Sequence, residues 1–120
     1  MKIQVRVPHA PPIAVQPAME LREWRVLEDV DAELLLIGLH VDSDRVRIST
    51  PVLSWDYGQR TWATQSGRVY RTVSPPGEFL TPERIEGLVL ARELRGPMID
   101  WTEVVWAEME LLSGSLASTQ

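Results

Sequence analysis

The side chains able to do acid–base or metal chemistry are few and scattered. Two histidines occur, His9 and His40. His9 stands among prolines, so an imidazole triad or metal centre would have to be built on His40 alone. His40 closes an apolar run, which predicts a histidine held by structural hydrogen bonds. Asp42 and Asp44 have the spacing that opens a calcium loop. The third ligand, the central glycine and the distal glutamate of such a loop are missing, so the pair reads as a turn. Glu103, Glu108 and Glu110 do not cluster on one helical face as a catalytic pair would, and read as a solvated acidic surface. Ser66-Gly67 sits at an expected hairpin tip, a poor support for a base and an oxyanion hole. No phosphate-binding glycine loop or nucleophile elbow is present. With no cysteine, thiolate metal sites, disulfides and cysteine nucleophiles are excluded. No catalytic, metal-binding or cofactor-binding residue is nominated, and no cofactor is expected. The chemistry favours binding over catalysis, with a cryptic enzyme or small-molecule binder as an alternative.

The elements that would carry a binding surface centre on residues 42–73. Turn residues at Asp42-Ser43-Asp44, Gly58-Gln59 and Ser66-Gly67 punctuate short strands rich in β-branched and aromatic side chains. The side-chain parity of Val46, Ile48 and Val52 switches to that of Leu53, Trp55 and Tyr57 just after Pro51, where a bulge or break is expected. Taking Gly58-Gln59 and Ser66-Gly67 as two-residue turns pairs Trp55 with Trp62, Leu53 with Thr64, Thr64 with Val69 and Trp62 with Arg71. That register puts Leu53, Trp55, Tyr57, Trp62, Val69 and Val73 on a buried face. It leaves Arg68, Tyr70 and Thr72 among the residues on a polar one.

Upstream, Lys2–Val7 alternates as a strand, and prolines 8, 11, 12 and 17 make residues 8–18 an extended connector. Residues 20–27 fit neither period cleanly and are read as a strand over 22–27. Residues 33–41 are nearly all apolar, which suits a strand covered on both faces. Downstream, Thr81-Pro82-Glu83 opens a helix with Ile85, Leu88, Val89 and Leu94 inward, and Gly87 is read as allowing close packing on the sheet. Asp100 with Glu103 predicts a capping box, and Ile99 with Val104 a hydrophobic staple. The second helix has an apolar stripe at Trp101, Val104, Val105, Met109 and Leu112. The tail from Ser113 is expected to fray. The fold expected is α+β: one domain over 1–120, with an antiparallel, twisted meander sheet and both C-terminal helices packed on one face.

The chain has 120 residues and a net charge of −5. Its charge is segregated: −2 over 1–41, +2 over 42–73 and −5 from Ser74 onward. Such a dipolar surface suits orientation of a protein partner. No apolar run is long enough to span a membrane, and the N-terminus has no hydrophobic signal core, so a cytoplasmic protein without membrane association is expected.

Residues 49–71 resemble segments of small, uncharacterised bacterial and prophage proteins. The matching residues are Ser49, Thr50, Val52, Leu53, Asp56, Thr64, Ser66, Gly67, Arg68, Tyr70 and Arg71. The resemblance covers about a fifth of the chain and implies a mobile-element context, in which small acidic proteins inhibit host defence systems, anti-CRISPR proteins among them. The function expected is a non-enzymatic protein-interaction domain, an inhibitor of one host protein, with Arg45, Arg47, Arg68, Tyr70 and Thr72 as its interface. The alternative is a small nucleic-acid binder using Arg45, Arg47, Arg68 and Arg71 with Tyr70.

Overall fold

The computed structural model describes residues 12–94 and 96–118. The strand expected over 2–7 and the first part of the proline connector lie outside them. The chain is α+β. Its strands are β1 (Ala18–Glu28), β2 (Leu34–His40), β3 (Val46–Ile48), β4 (Val52–Asp56), β5 (Thr61–Thr64), β6 (Val69–Thr72) and β7 (Ile99–Asp100), with helices α1 (Pro82–Ala91) and α2 (Thr102–Ser118). They form a single sheet in the order β3-β2-β1-β6-β5-β4, with β7 added to β1.

The sheet is mostly antiparallel but is not a pure meander, because β6 returns to lie parallel beside β1. Its edge strands, β3 and β4, are separated in sequence by only Ser49, Thr50 and Pro51. A flat six-strand sheet is about 24 Å across at about 4.8 Å per gap. The four residue steps from Ile48 to Val52 span at most about 14 Å. The sheet must therefore roll, with the kink at Pro51 joining its two edges.

β1 is longer than the 22–27 expected because it contains a bulge. Pairing with β2 slips by one residue between Arg22 and Arg25, and Glu23 takes a left-handed φ of 52°. Met19 and Leu21 are buried before the bulge and Trp24 and Val26 after it, so the inward parity changes midway. That is why no single period fits this stretch. Gly38 faces the bulge: a Cβ there would lie 3.1 Å from the Arg22 carbonyl oxygen, 3.2 Å from Leu21 Cβ and 3.3 Å from Trp24 Cα.

The helices lie on opposite faces, not on one. Val105 and Met109 of α2 join Met19, Leu21, Trp24, Val26, Leu36, Trp62 and Tyr70 in the main core. Ile85 and Leu88 of α1 pack with Leu27, Ile37 and Leu80 in a second cluster. Adjacent residues of one strand, Leu36 and Ile37, thus serve different cores. A strand apolar on both sides needs cover on both sides, and β2 is buried from Leu35 through His40. The Thr81 cap forms as expected, its hydroxyl accepting from Arg84 N at 3.2 Å.

Three further expectations change. Pro12 to Gln16 makes a turn, with Val15 N and Gln16 N both donating to the Pro12 carbonyl at 2.9 Å; the proline-free run after Pro12 keeps the donors that a polyproline conformation would leave to water. α2 continues to Ser118, through residues read as a frayed tail, no proline interrupting it. Gly87 has open space where a Cβ would go, and so does not mediate close packing.

The two glycines predict opposite outcomes. Gly38→Ala should cost about 1–3 kcal/mol, because the atoms it meets are backbone and Cβ that have little room to move. Gly87→Ala should gain about 0.5–1 kcal/mol from helix propensity. Urea denaturation midpoints of the two variants check both; equal effects would contradict the bulge packing.

Candidate functional site

The register of β5 with β6 decides which side chains reach the surface. Trp55 pairs with Trp62 and Asp56 with Thr61, the register expected across Gly58-Gln59, although the left-handed residue of that loop is Arg60, with φ 57°, and not Gly58. Leu53 is the extra residue of a bulge between Val52 and Ser54, so Thr64 pairs with Val52 rather than with Leu53. On the other side Trp62 pairs with Tyr70, Thr61 with Arg71 and Ala63 with Val69, one residue away from the expected pairing of Trp62 with Arg71. The cause is the turn. Gly67 N donates to Thr64 O at 2.9 Å and Gly67 has φ +94°, the arrangement of a three-residue loop over Gln65-Ser66-Gly67 whose last residue is left-handed. A two-residue primed turn would need positive φ at Ser66, which serine resists.

That slip exchanges the faces of β6. Tyr70 and Thr72 turn into the core at 3% and 0% exposure, while Val69 and Val73 turn out. The nominated interface is dispersed by it. Arg68 is buried and donates Nε–H to the Gln16 carbonyl at 3.0 Å. Arg47 is buried too, its pKa lowered first by desolvation and then by neighbouring Arg45. Thr72 receives the indole N–H of Trp62 at 3.4 Å. Only Arg45 of the five is exposed. The cations expected to form a nucleic-acid face separate in the same way, and exposed Arg71 is paired with Glu20 at 3.2 Å. The part of the expected polar binding face carried by Arg68, Tyr70 and Thr72 is therefore corrected to core.

His40 is a structural histidine: it is buried between Gln16 Nε2 at 3.0 Å and the Ser43 hydroxyl at 3.1 Å. Among the described residues, no group of three or more histidine and acidic side chains is placed to hold a metal ion. No helix there is long and apolar enough to cross a membrane.

What the structure assembles instead is an aromatic cleft of about 390 Å³ between β4, β5 and the start of α2. Its walls include Trp55, Tyr57, Trp101 and Val104, with buried Trp62 behind them and the carboxylates of Glu28 and Glu108 beside them. The rings of Trp55, Tyr57 and Trp62 lie mutually 6.0–6.2 Å apart. On the other wall, α2 is zipped onto β1. Trp101 N donates to Val26 O at 2.9 Å, and Val26 N donates to the Thr102 hydroxyl oxygen at 2.9 Å. The Trp101 indole N–H then reaches Glu28 Oε1 at 2.8 Å.

The capping box is replaced in this arrangement. Asp100 accepts from Thr102 N at 2.9 Å, and Glu103 pairs with Arg25 at 3.1 Å. Ile99 and Val104 remain about half exposed and do not make a closed staple. The apolar stripe read along α2 is only partly core: Val105 and Met109 are buried, while Trp101 and Val104 face the cleft. That uncovered stripe was the signal available for the site. Compared with protein-family models, with curated proteins and with solved structures, the chain gives no significant match to any of them.

Burial, followed by a hydrogen bond to Glu108, pushes the Tyr57 hydroxyl up to about 12 from its ordinary 10.0. The folded protein thus holds a proton that the unfolded chain releases between those values. The stabilisation is fully present below about pH 10 and is lost as pH rises through about 12. Tyr57→Phe should remove the late step from a phenolate absorbance titration and flatten the loss of stability at high pH. Glu108→Gln should move the step downward. A tyrosine step unchanged in Tyr57→Phe would contradict the assignment.

Proposed function

We infer that this chain is a non-enzymatic protein-interaction domain whose interface is the aromatic cleft. The observation that carries the reading is the pair of tryptophans at the cleft mouth, Trp55 and Trp101, left 46% and 38% exposed beside Val104 at 50%. Exposed aromatic surface of this kind is costly to leave in water and is where binding energy concentrates in protein interfaces. The aromatic walls are also preorganised. Trp55 stacks at 28° on Tyr57, and Trp101 is held by Glu28, so little side-chain freedom is left to lose on binding. The finer reading, an inhibitor of a host protein carried by a mobile element, draws its support from the resemblance of residues 49–71.

A paired capture experiment tests the interface. The parent chain, Trp55→Ser and Arg71→Glu are each used as bait in host lysate. A specific partner should be retained by the parent and by Arg71→Glu and lost with Trp55→Ser. The melting temperature of Trp55→Ser should fall because the ring also packs on Tyr57 and Trp62, so its circular dichroism spectrum is checked to show that it is folded at the temperature of capture. A partner held equally by Trp55→Ser would overturn the assignment.

A further inference from the structure

We propose that the cleft receives an arginine side chain presented by the protein partner; the proposal rests on the cleft being the interface. Two properties of the walls select the occupant. The first is charge. Glu28 and Glu108 line the cleft, and among the described residues that line it none is basic. Among the described residues, the groups that bond these carboxylates are neutral donors, the Trp101 indole N–H and the Tyr57 hydroxyl. Their negative charge is therefore not cancelled locally. Nearby Arg25 is engaged elsewhere, with Glu103 at 3.1 Å and Asp100 at 3.6 Å.

The second property is the aromatic surface. Trp55 and Trp101 offer partly exposed indoles, and an indole face is the strongest aromatic partner for a cation. A planar guanidinium can stack on such a face while its edge N–H groups reach carboxylate oxygens, a combination that a compact ammonium does less well. A cage for a fully methylated ammonium would have no use for the two acceptors, because that cation carries no N–H to donate. A purely apolar side chain would leave both carboxylates beside it without a compensating partner. The N-terminal end of α2 opposes any cation within its first turn. Glu108, beyond that turn, and Glu28, on β1, lie outside this opposition and outweigh it with two full charges.

N-acetyl-arginine amide and its neutral isostere N-acetyl-citrulline amide are titrated into the intact protein, with indole N–H resonances and tryptophan fluorescence as the readouts. The arginine probe should shift the Trp101 and Trp55 signals saturably, with a dissociation constant on the order of millimolar for one side chain. The citrulline probe should not. Glu28→Gln combined with Glu108→Gln should weaken the arginine probe by about tenfold or more while circular dichroism is preserved, and added salt should weaken it in the parent. Equal shifts with citrulline, or no saturable shift with arginine, would overturn the proposal. The interface reading is separable. If Trp55→Ser loses its captured partner while the arginine probe fails to bind, only the occupant is wrong. If the probe binds but capture is indifferent to Trp55, the interface assignment is what fails.

Discussion

The pairing of β5 with β6 through a left-handed Gly67 is the constraint on which the rest of the structure depends. Because side chains alternate across a strand, a shift of one residue moves every β6 side chain to the other face. The three-residue loop sends Tyr70 and Thr72 inward beside Trp62. It also aligns β6 with β1, so that Met19 faces Tyr70 and Leu21 faces Thr72, all four of them buried. The parallel pair in the middle of the sheet therefore inherits its register from a loop at the periphery. With the shorter turn, Arg71 and Val73 would face the main core, leaving a guanidinium to be desolvated there.

The rolled sheet and the bulge in β1 complete the core around that register. Trp24, brought inward by the bulge, lies 6.3 Å from both Trp62 and Trp106. Its indole N–H donates to the Ser74 carbonyl at 2.7 Å, which ties the chain leaving β6 back to β1. β1 also holds α2 through Val26 and Thr102, a residue with no exposed surface. One strand thus anchors both walls of the cleft: the sheet that carries Trp55 and Tyr57, and the helix start that carries Trp101. The aromatic side chains are placed by a core that packs directly behind them, and this rigidity supports their use as a binding surface.

Local chemistry made some of this legible in the sequence. The register across Gly58-Gln59, the parity switch at Pro51, the double-faced strand at 34–40 and the Thr81 cap all follow from residues near one another in the chain, and the α+β class follows from their order. The β1 bulge was hidden because Glu23 carries no turn signature and its partner, Gly38, lies fifteen positions away. The parallel return of β6 to β1 is a long-range pairing that no local pattern encodes. The side of the sheet that Tyr70 and Thr72 take hangs on one turn. Ser66-Gly67 admits a two- or a three-residue loop, and the poor fit of serine to positive φ was the clue to choose between them. Trp101 and Val104 were visible as part of a helical stripe, but periodicity reports which side chains share a face and not whether that face is covered.

The β5–β6 register has a direct signature in solution. In antiparallel pairs the residues that do not exchange backbone hydrogen bonds bring their Cα atoms to about 4.5 Å and give strong Hα–Hα Overhauser contacts. Thr64 N bonds to Arg68 O and Thr72 N bonds to Arg60 O, which makes Thr61–Arg71 and Ala63–Val69 the close pairs. Observation of Hα–Hα contacts at those two pairs is the result expected. Contacts at Trp62–Arg71 and Thr64–Val69 instead would restore the two-residue turn, return Tyr70 and Thr72 to the surface, and contradict the packing of β6 against Met19 and Leu21 on which the core is built.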